Sequence, residues 1–195
     1  MSLFPESEVV PLPKGHVLYM PEYFCQLSSN SVFDVLMEQT PFQPEYVKIG
    51  GKFLKAPRQT AYYGARDYLY AGIVQKAKSW TTYLAAIRSL VESELDTEFN
   101  SALLNFYPDG NSYIGWHADD EKSLGNDPVI ASISLGATRK FSFKDKQTKE
   151  VFSLQLENGS LLFMGKGTQI NYLHSLPKQK DLGPRINITF RYIYD

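Results

Sequence analysis

The chain has 195 residues, a length that fits one domain and can bury a sizeable core. At 43% hydrophobic and 21% charged residues its composition is that of a globular protein, which excludes a disordered or low-complexity polymer. A formal net charge of −1 weighs against extended, non-specific nucleic-acid binding but leaves room for a local basic patch.

The N-terminus, MSLFPESEVVPLPKG, has no basic start followed by an apolar run, so it does not read as a signal peptide. Its three prolines predict an extended segment lying along the domain. The lone cysteine, Cys25, rules out an intramolecular disulfide and suits a reducing compartment. No apolar run is long enough for a membrane helix. The expectation is a soluble cytoplasmic protein, or a nuclear one if the source is eukaryotic.

Residues 29–39 carry Val32, Phe33, Val35 and Leu36, the pattern of a short amphipathic helix, with Pro41 just beyond as a stop. Residues 48–66 hold Lys48, Lys52, Lys55, Arg58 and Arg66 without one acidic residue. Phe53, Tyr62 and Tyr63 are interleaved, and Tyr68 and Tyr70 follow. Positive charge positions phosphates and aromatic faces stack on bases, although a solvated loop with a few core aromatics has the same composition. Residues 79–95 predict a stronger helix. Trp80, Leu84, Ile87, Val91 and Leu95 share one face, and Ser79 is the predicted N-cap.

From residue 100 the period falls to two. Segments 101–107, 130–136, 140–144, 152–165 and 185–193 read as strands, with Asn158-Gly159 as a hairpin signal inside the fourth. Helices followed by a run of short strands predict an α+β domain, a double-stranded β-helix (jelly roll) buttressed by N-terminal helices.

Two of the three histidines stand in suggestive positions. His117 and Asp119 flank Ala118, and on extended backbone residues i and i+2 point to one side. His174 follows beyond the next strands. Two histidines and one carboxylate form the facial triad of non-haem iron(II) oxygenases, which leaves coordination positions open. A zinc hydrolase or a structural metal site would use the same ligands. His16 has no such surroundings and reads as structural. In the last strand Arg185, Asn187, Thr189 and Arg191 alternate with Ile186, Ile188 and Phe190. A polar row of this kind is most often a solvent face. Two arginines flanking Asn and Thr also make a dicarboxylate site, because guanidinium grips carboxylate with two parallel bonds. On 101–107, Asn105 and Tyr107 share a face with Leu103 and could hold the other end of the same ligand.

Three motifs in order carry a family resemblance. N-x-Y-x-x-G-x-x-x-x-x-W-H-x-D-D-E from Asn105 to Glu121, H-S-L-P from His174 and R-x-N-x-T-x-R from Arg185 resemble the AlkB family of 2-oxoglutarate dioxygenases. The likeness covers roughly residues 42–193. It implies one Fe(II)/2-oxoglutarate dioxygenase domain over 1–195, with a nucleotide-recognition lid at approximately 42–75 and a jelly-roll core at approximately 100–194. It implies His117, Asp119 and His174 as iron(II) ligands, and Arg185 with Tyr107 as partners of the distal carboxylate of 2-oxoglutarate. Asn105, Asn187, Thr189 and Arg191 would complete that pocket. O₂ would be consumed, with succinate and CO₂ released.

On the substrate side the resemblance implies that Pro57-Arg58 is a phosphate-contacting turn. It also implies that Tyr68 and Tyr70 belong to an aromatic lid segment, Tyr70 stacking on a flipped base opposite His117. Asp120 and Glu121 would bond base edges, unless they form only a solvated acidic turn. Gly50, Gly51 and Lys52 would contact the substrate, and at Ile49-Gly50-Gly51 the duplex-preferring relative carries a bulky aromatic wedge before a glycine. Gly50 takes the wedge position, which leaves duplex preference open, with Ile49 or Phe53 as substitutes. The implied reaction is dealkylation of 1-methyladenine- or 3-methylcytosine-type bases in DNA, single- or double-stranded, with RNA also open, by a monomer. The rivals are a 2-oxoglutarate oxygenase acting on a protein, lipid or small molecule, and a non-enzymatic jelly roll that keeps a metal for structure.

Overall fold

The computed structural model describes residues 7–49, 51–70 and 73–194. In chain order the elements are β1 (Glu8–Val9), β2 (Val17–Met20), α1 (Gln26–Gln39), β3 (Gln43–Ile49), β4 (Lys52–Gly64), β5 (Tyr68–Tyr70), β6 (Ile73–Gln75) and α2 (Thr82–Leu95). They continue with β7 (Ser101–Tyr107), β8 (Ile114–His117), β9 (Ile130–Gly136), β10 (Arg139–Asp145), β11 (Val151–Leu156), β12 (Ser160–Met164), α3 (Thr168–Asn171), β13 (Tyr172–Leu176) and β14 (Arg185–Arg191).

Three antiparallel sheets result among the described residues. The major sheet runs β1-β2-β12-β9-β14-β7-β4-β3, the minor sheet β11-β10-β13-β8, and β5 pairs only with β6. Major and minor sheets form the double-stranded β-helix, with helices on the outer side of the major sheet. Both faces of the major sheet are therefore buried. One packs Ala102, Leu104, Ile186, Ile188 and Phe190 against Leu84, Ile87 and Val91 of α2 and Val32 and Leu36 of α1. The other faces the minor sheet across Ile130, Leu162, Phe141 and Phe143. All seven residues of β14 are buried, so its polar row is not a solvent face but the wall of an internal cleft.

Sequence and structure differ at several boundaries. α1 begins at Gln26, ahead of the expected start. α2 is capped by Thr81, whose hydroxyl accepts from the Leu84 N–H at 3.1 Å, and not by Ser79. Lys78 still pairs with Tyr63, so the chain is extended there and Trp80 precedes the helix, its ring parallel to that of Phe190 at 6.5 Å. β4 is a 13-residue strand whose second half joins the major sheet against β7, so the expected Pro57-Arg58 turn is strand interior.

Asn158-Gly159 is not a hairpin turn. β11 pairs with β10 in the minor sheet, while β12 pairs with β9 and β2 in the major sheet. The dipeptide is the corner at which the chain changes sheets. Asn158 accepts from the Gly136 N–H at 2.8 Å and donates to Ser29 and Asn30 of α1. Gly159 has φ +81°, and a Cβ there would meet the Phe24 carbonyl oxygen at 2.3 Å. Gly159→Ala is expected to cost about 1–2 kcal/mol from the left-handed backbone alone, with the steric conflict added. Urea unfolding checks this.

Candidate active site

β8 and β13 are antiparallel neighbours, and His117 lies directly across from His174. Cross-strand residues in direct register share a face, so both imidazoles enter the cleft between the sheets, with ring centroids 4.2 Å apart. Asp119 follows two residues after β8, tied by its N–H to the buried Gln169 side chain at 3.0 Å. One ligand atom from each of His117, Asp119 and His174 lies within 4.8 Å of the others, which suits one metal ion.

The surroundings prepare these groups as ligands. His117 Nδ1 donates to the Gly115 carbonyl at 2.8 Å, which puts the proton there and leaves Nε2 its lone pair. His174 is stacked on Phe141 at 5.5 Å and edged by Phe143. Burial lowers the pKa of His117, and burial with the neighbouring His117 charge brings His174 down to about 3. For Asp119, burial alone would raise the carboxyl. Arg191 and the two imidazoles outweigh it and hold the group below the usual carboxylate range. Both Asp119 oxygens accept from Arg191 Nη2 at 3.0 Å.

At neutral pH all three groups are thus already in the metal-binding form. Metal binding ordinarily releases protons from its ligands. Here the heat of metal binding between about pH 7 and 8 should not depend on the ionisation enthalpy of the buffer, measured by titration calorimetry. In the metal-free protein the unfolded chain accepts protons near pH 6.5 that folded His174 refuses until about pH 3. Stability from this source is fully present above the unfolded value and is lost as pH falls from there towards 3. A melting temperature that rises on acidification from pH 7 would contradict it.

Behind the triad the cleft is walled by Asn105, Tyr107, Arg185, Asn187 and Thr189. Arg185 is 2% exposed, donates to Ser134 Oγ at 2.8 Å and sits over the Tyr107 ring at 5.3 Å. Its Nε has no hydrogen-bond partner, and burial lowers its pKa to about 10. Arg139, fully buried, is a second cation nearby: its guanidinium is 6.0 Å from the same ring and donates to the carbonyls of Ser112 and Pro177. Two buried cations share one phenol, and an anion entering the cleft would relieve that imbalance. This is the chemistry of a carboxylate site, and with two neutral imidazoles and a carboxylate beside it the donors fit iron(II) and 2-oxoglutarate. Asn187 and Thr189 are locked into the wall. Thr189 Oγ1 donates to Asn187 Oδ1 at 2.8 Å, and Asn187 Nδ2 donates to Ser132 and to the Ile133 carbonyl.

The expected substrate-side residues do not form one cluster. Lys52, Phe53, Leu54 and Lys55 are exposed near the tip of the β3–β4 hairpin, Phe53 at 63%. Gly51 turns that tip at φ +80°, and Gly50 lies outside the described residues. Tyr68 and Tyr70 lie on β5, their side chains outside what is described. Asp120 is exposed and paired with Lys146 at 3.6 Å, and Glu121 is half-buried. Arg58 is buried on β4, 2.5 Å from Glu45 of β3, with its Nε donating to Asn105 at 3.0 Å. A buried guanidinium in the sheet is not a phosphate-contacting turn. His16 is exposed and meets Phe163 edge-on.

Sequence reasoning missed Arg139, Glu45 and Gln169. For Arg139 the signal was present. It shares parity with Phe141 and Phe143, which face inward, so a strand begun one residue earlier would have placed it inside. Glu45 and Gln169 carry no such pattern.

A model of the 2OG-Fe(II) oxygenase superfamily matches residues 16–191. The chain is 40% identical to alkB homolog 3, an alpha-ketoglutarate-dependent dioxygenase of Mus musculus, over 97% of this chain and 70% of the relative. It is 40% identical to the DNA oxidative demethylase ALKBH2 of Bos taurus, over 75% of this chain and 57% of the relative. The solved structure of OsALKBH1 matches with a TM-score of 0.69 at 16% identity, covering 95% of this chain and all of that one, a likeness of fold. The chain therefore belongs to the AlkB family within the 2OG-Fe(II) oxygenase superfamily, and it is an Fe(II)- and 2-oxoglutarate-dependent dioxygenase that uses O₂.

Proposed function

We propose that this enzyme removes alkyl groups from N-alkylated bases of the 1-methyladenine and 3-methylcytosine type in DNA, with RNA as a second polymer in reach. The observation that carries the reading is the His117–Asp119–His174 group, with Asp119 and His174 buried and His117 partly so, beside a cationic cleft that suits a dicarboxylate. Relatives named alkB homolog 3 and DNA oxidative demethylase support the substrate class. The enzyme acts as a monomer in the cytoplasm, or in the nucleus of a eukaryote. None of the described helices is long and apolar enough to cross a membrane.

His117, Asp119 and His174 would hold iron(II), and Arg185 would take the distal carboxylate of 2-oxoglutarate with Tyr107 beside it. Bound there, the metal and cosubstrate supply O₂ activation coupled to decarboxylation, and so hydroxylation of the alkyl carbon. The hydroxylated product is a hemiaminal, which releases formaldehyde when the group was methyl. Arg191 fixes both oxygens of Asp119, so the carboxylate cannot swing away.

A base inside a duplex cannot reach this cleft, so the target nucleotide must leave the stack. Lys52 on the exposed hairpin, beside the turn at Gly51, would meet the phosphate chain, and Gly50 belongs to the same proposed contact segment. Tyr70, with Tyr68 next to it, would stack on the flipped base opposite His117, and Asp120 and Glu121 would read its edge. The wedge position is glycine, so single strands should be served at least as well as duplex. The test is a 1-methyladenine oligonucleotide, single-stranded and duplexed, as DNA and as RNA, followed by mass spectrometry. Loss of one methylene mass supports the reading. Succinate formation that no alkylated oligonucleotide stimulates would move the substrate to a protein, lipid or small molecule.

A further inference from the structure

Thr60 of β4 pairs with Asn105 of β7, so Arg58, two residues earlier, is on the same face of the strand and turned towards the cleft wall. It is 6% exposed. Its Nε donates to Asn105 Oδ1 at 3.0 Å, and its Nη2 lies 2.5 Å from Oε2 of Glu45, which is 3% exposed on the neighbouring strand. Glu45 Oε1 is buried without a hydrogen-bond partner. Ion pair and amide thus form one buried chain from the β3–β4 hairpin to the cosubstrate cleft.

The chain of bonds decides what Asn105 can offer. An amide has one acceptor oxygen and one donor nitrogen, and a free side chain can present either. Here the oxygen is bound to a cation. Rotating the amide by half a turn would set its NH₂ against the guanidinium, donor against donor. The oxygen therefore stays on Arg58 and the NH₂ faces the other way. That nitrogen is 3.5 Å from Asn187 Oδ1, the limit of a hydrogen bond, and Asn187 Oδ1 already accepts from Thr189 at 2.8 Å. A donor hydrogen of Asn105 thus remains available to the cleft it lines. For an anionic ligand the difference is large, since a carbonyl oxygen pointing inward would repel it.

We propose that Arg58, anchored by Glu45, is a positioning residue for the cosubstrate, holding the Asn105 amide with its donors towards 2-oxoglutarate. The proposal rests on the reading of the cleft as the 2-oxoglutarate pocket. It gives the basic hairpin two jobs: its exposed lysines serve the nucleic acid, and its buried arginine serves the cosubstrate. A change in β3 or β4 on substrate binding would then be felt at Asn105.

The test keeps the buried charge balanced by removing both partners in E45Q/R58M, since a lone buried charge would confound it. Titration calorimetry reads 2-oxoglutarate affinity in anaerobic, manganese(II)-loaded protein, and fluorescence anisotropy reads a single-stranded oligonucleotide. The expected result is a 2-oxoglutarate Kd weakened about tenfold, the scale of one hydrogen bond to a charged group. Oligonucleotide affinity should stay within about twofold. In an Asn105→Ala background the same pair of changes should alter the 2-oxoglutarate Kd by less than about twofold, because contributions through a shared partner are not additive. Should E45Q/R58M not fold, Arg58→Lys keeps the charge against Glu45 but loses the planar fork, and is expected to weaken 2-oxoglutarate in the same direction.

Oligonucleotide affinity that falls while 2-oxoglutarate affinity holds would make Arg58 a nucleic-acid contact and overturn the proposal. So would a tenfold loss that persists in the Asn105→Ala background, or losses in both affinities that track a lowered melting temperature. If the unmodified protein binds no 2-oxoglutarate at all, the pocket reading itself has failed, a result separate from any of these.

Discussion

Asp119→Ala is expected to abolish turnover and to weaken iron binding severely. The carboxylate is the one anionic member of the ligand group, and an imidazole pair alone holds a divalent iron poorly. A second loss follows from its position. Asp119 is nearly fully buried, and both its oxygens carry the charge of Arg191, also buried. Leaving one member of a buried ion pair uncompensated costs about 3–5 kcal/mol. The variant should therefore unfold at lower urea concentration as well as lose activity. The two effects separate in Asp119→Ala combined with Arg191→Met, which should recover much of the stability and none of the turnover. Succinate production at the normal rate in Asp119→Ala would remove the metal site from this place in the fold.

Arg185→Ala should act on the cosubstrate and spare the metal. Its guanidinium sits on the cleft face of β14, hydrogen-bonded to Ser134 and to Tyr107 and with an unpartnered Nε, a cation prepared for an anion that the protein does not itself supply. Truncating one side of a buried, hydrogen-bonded charge pair costs about 2–5 kcal/mol, on the order of a hundredfold in 2-oxoglutarate affinity. KM for 2-oxoglutarate should rise by that order, with metal affinity changed little. Stability of the cosubstrate-free protein should hold or increase, because the change removes a buried charge from beside Arg139. Unchanged cosubstrate affinity would mean that the distal carboxylate binds elsewhere, with Arg139 as the next group to replace.

The jelly roll was legible because its strands keep a period of two and its helices a period of three to four. The same alternation misleads on burial. In β14 the polar residues look like a solvent face, yet both sides of the strand are covered, one by helices and one by the second sheet. The two arginines flanking Asn and Thr already suggested a carboxylate site, and the three linked motifs, read as a resemblance, decided between that and a solvent face. The triad could be named from sequence since His117 and Asp119 are near neighbours in the chain. The direct register of His174 against His117 could not, because it depends on how β13 pairs with β8.

Arg58 was harder for a physical reason. Its composition-level surroundings, lysines and aromatics without acids, describe the outside of the hairpin. The partner that turns it inward is Glu45, on the opposite strand, and no local pattern announces that pair. Asn158-Gly159 failed in the same way. The dipeptide specifies a tight reversal, and here the reversal carries the chain between sheets instead of back along one.

The central claim is that the triad and the cationic cleft couple 2-oxoglutarate oxidation to base dealkylation. The most direct measurement counts succinate and restored adenine together, using iron(II)-loaded protein, 2-oxoglutarate, air and a 1-methyladenine DNA strand. The account predicts one succinate for each methyl group removed, with both products lost in Asp119→Ala. Succinate formed at the same rate with methylated and unmethylated strands, and no restored adenine, would contradict it.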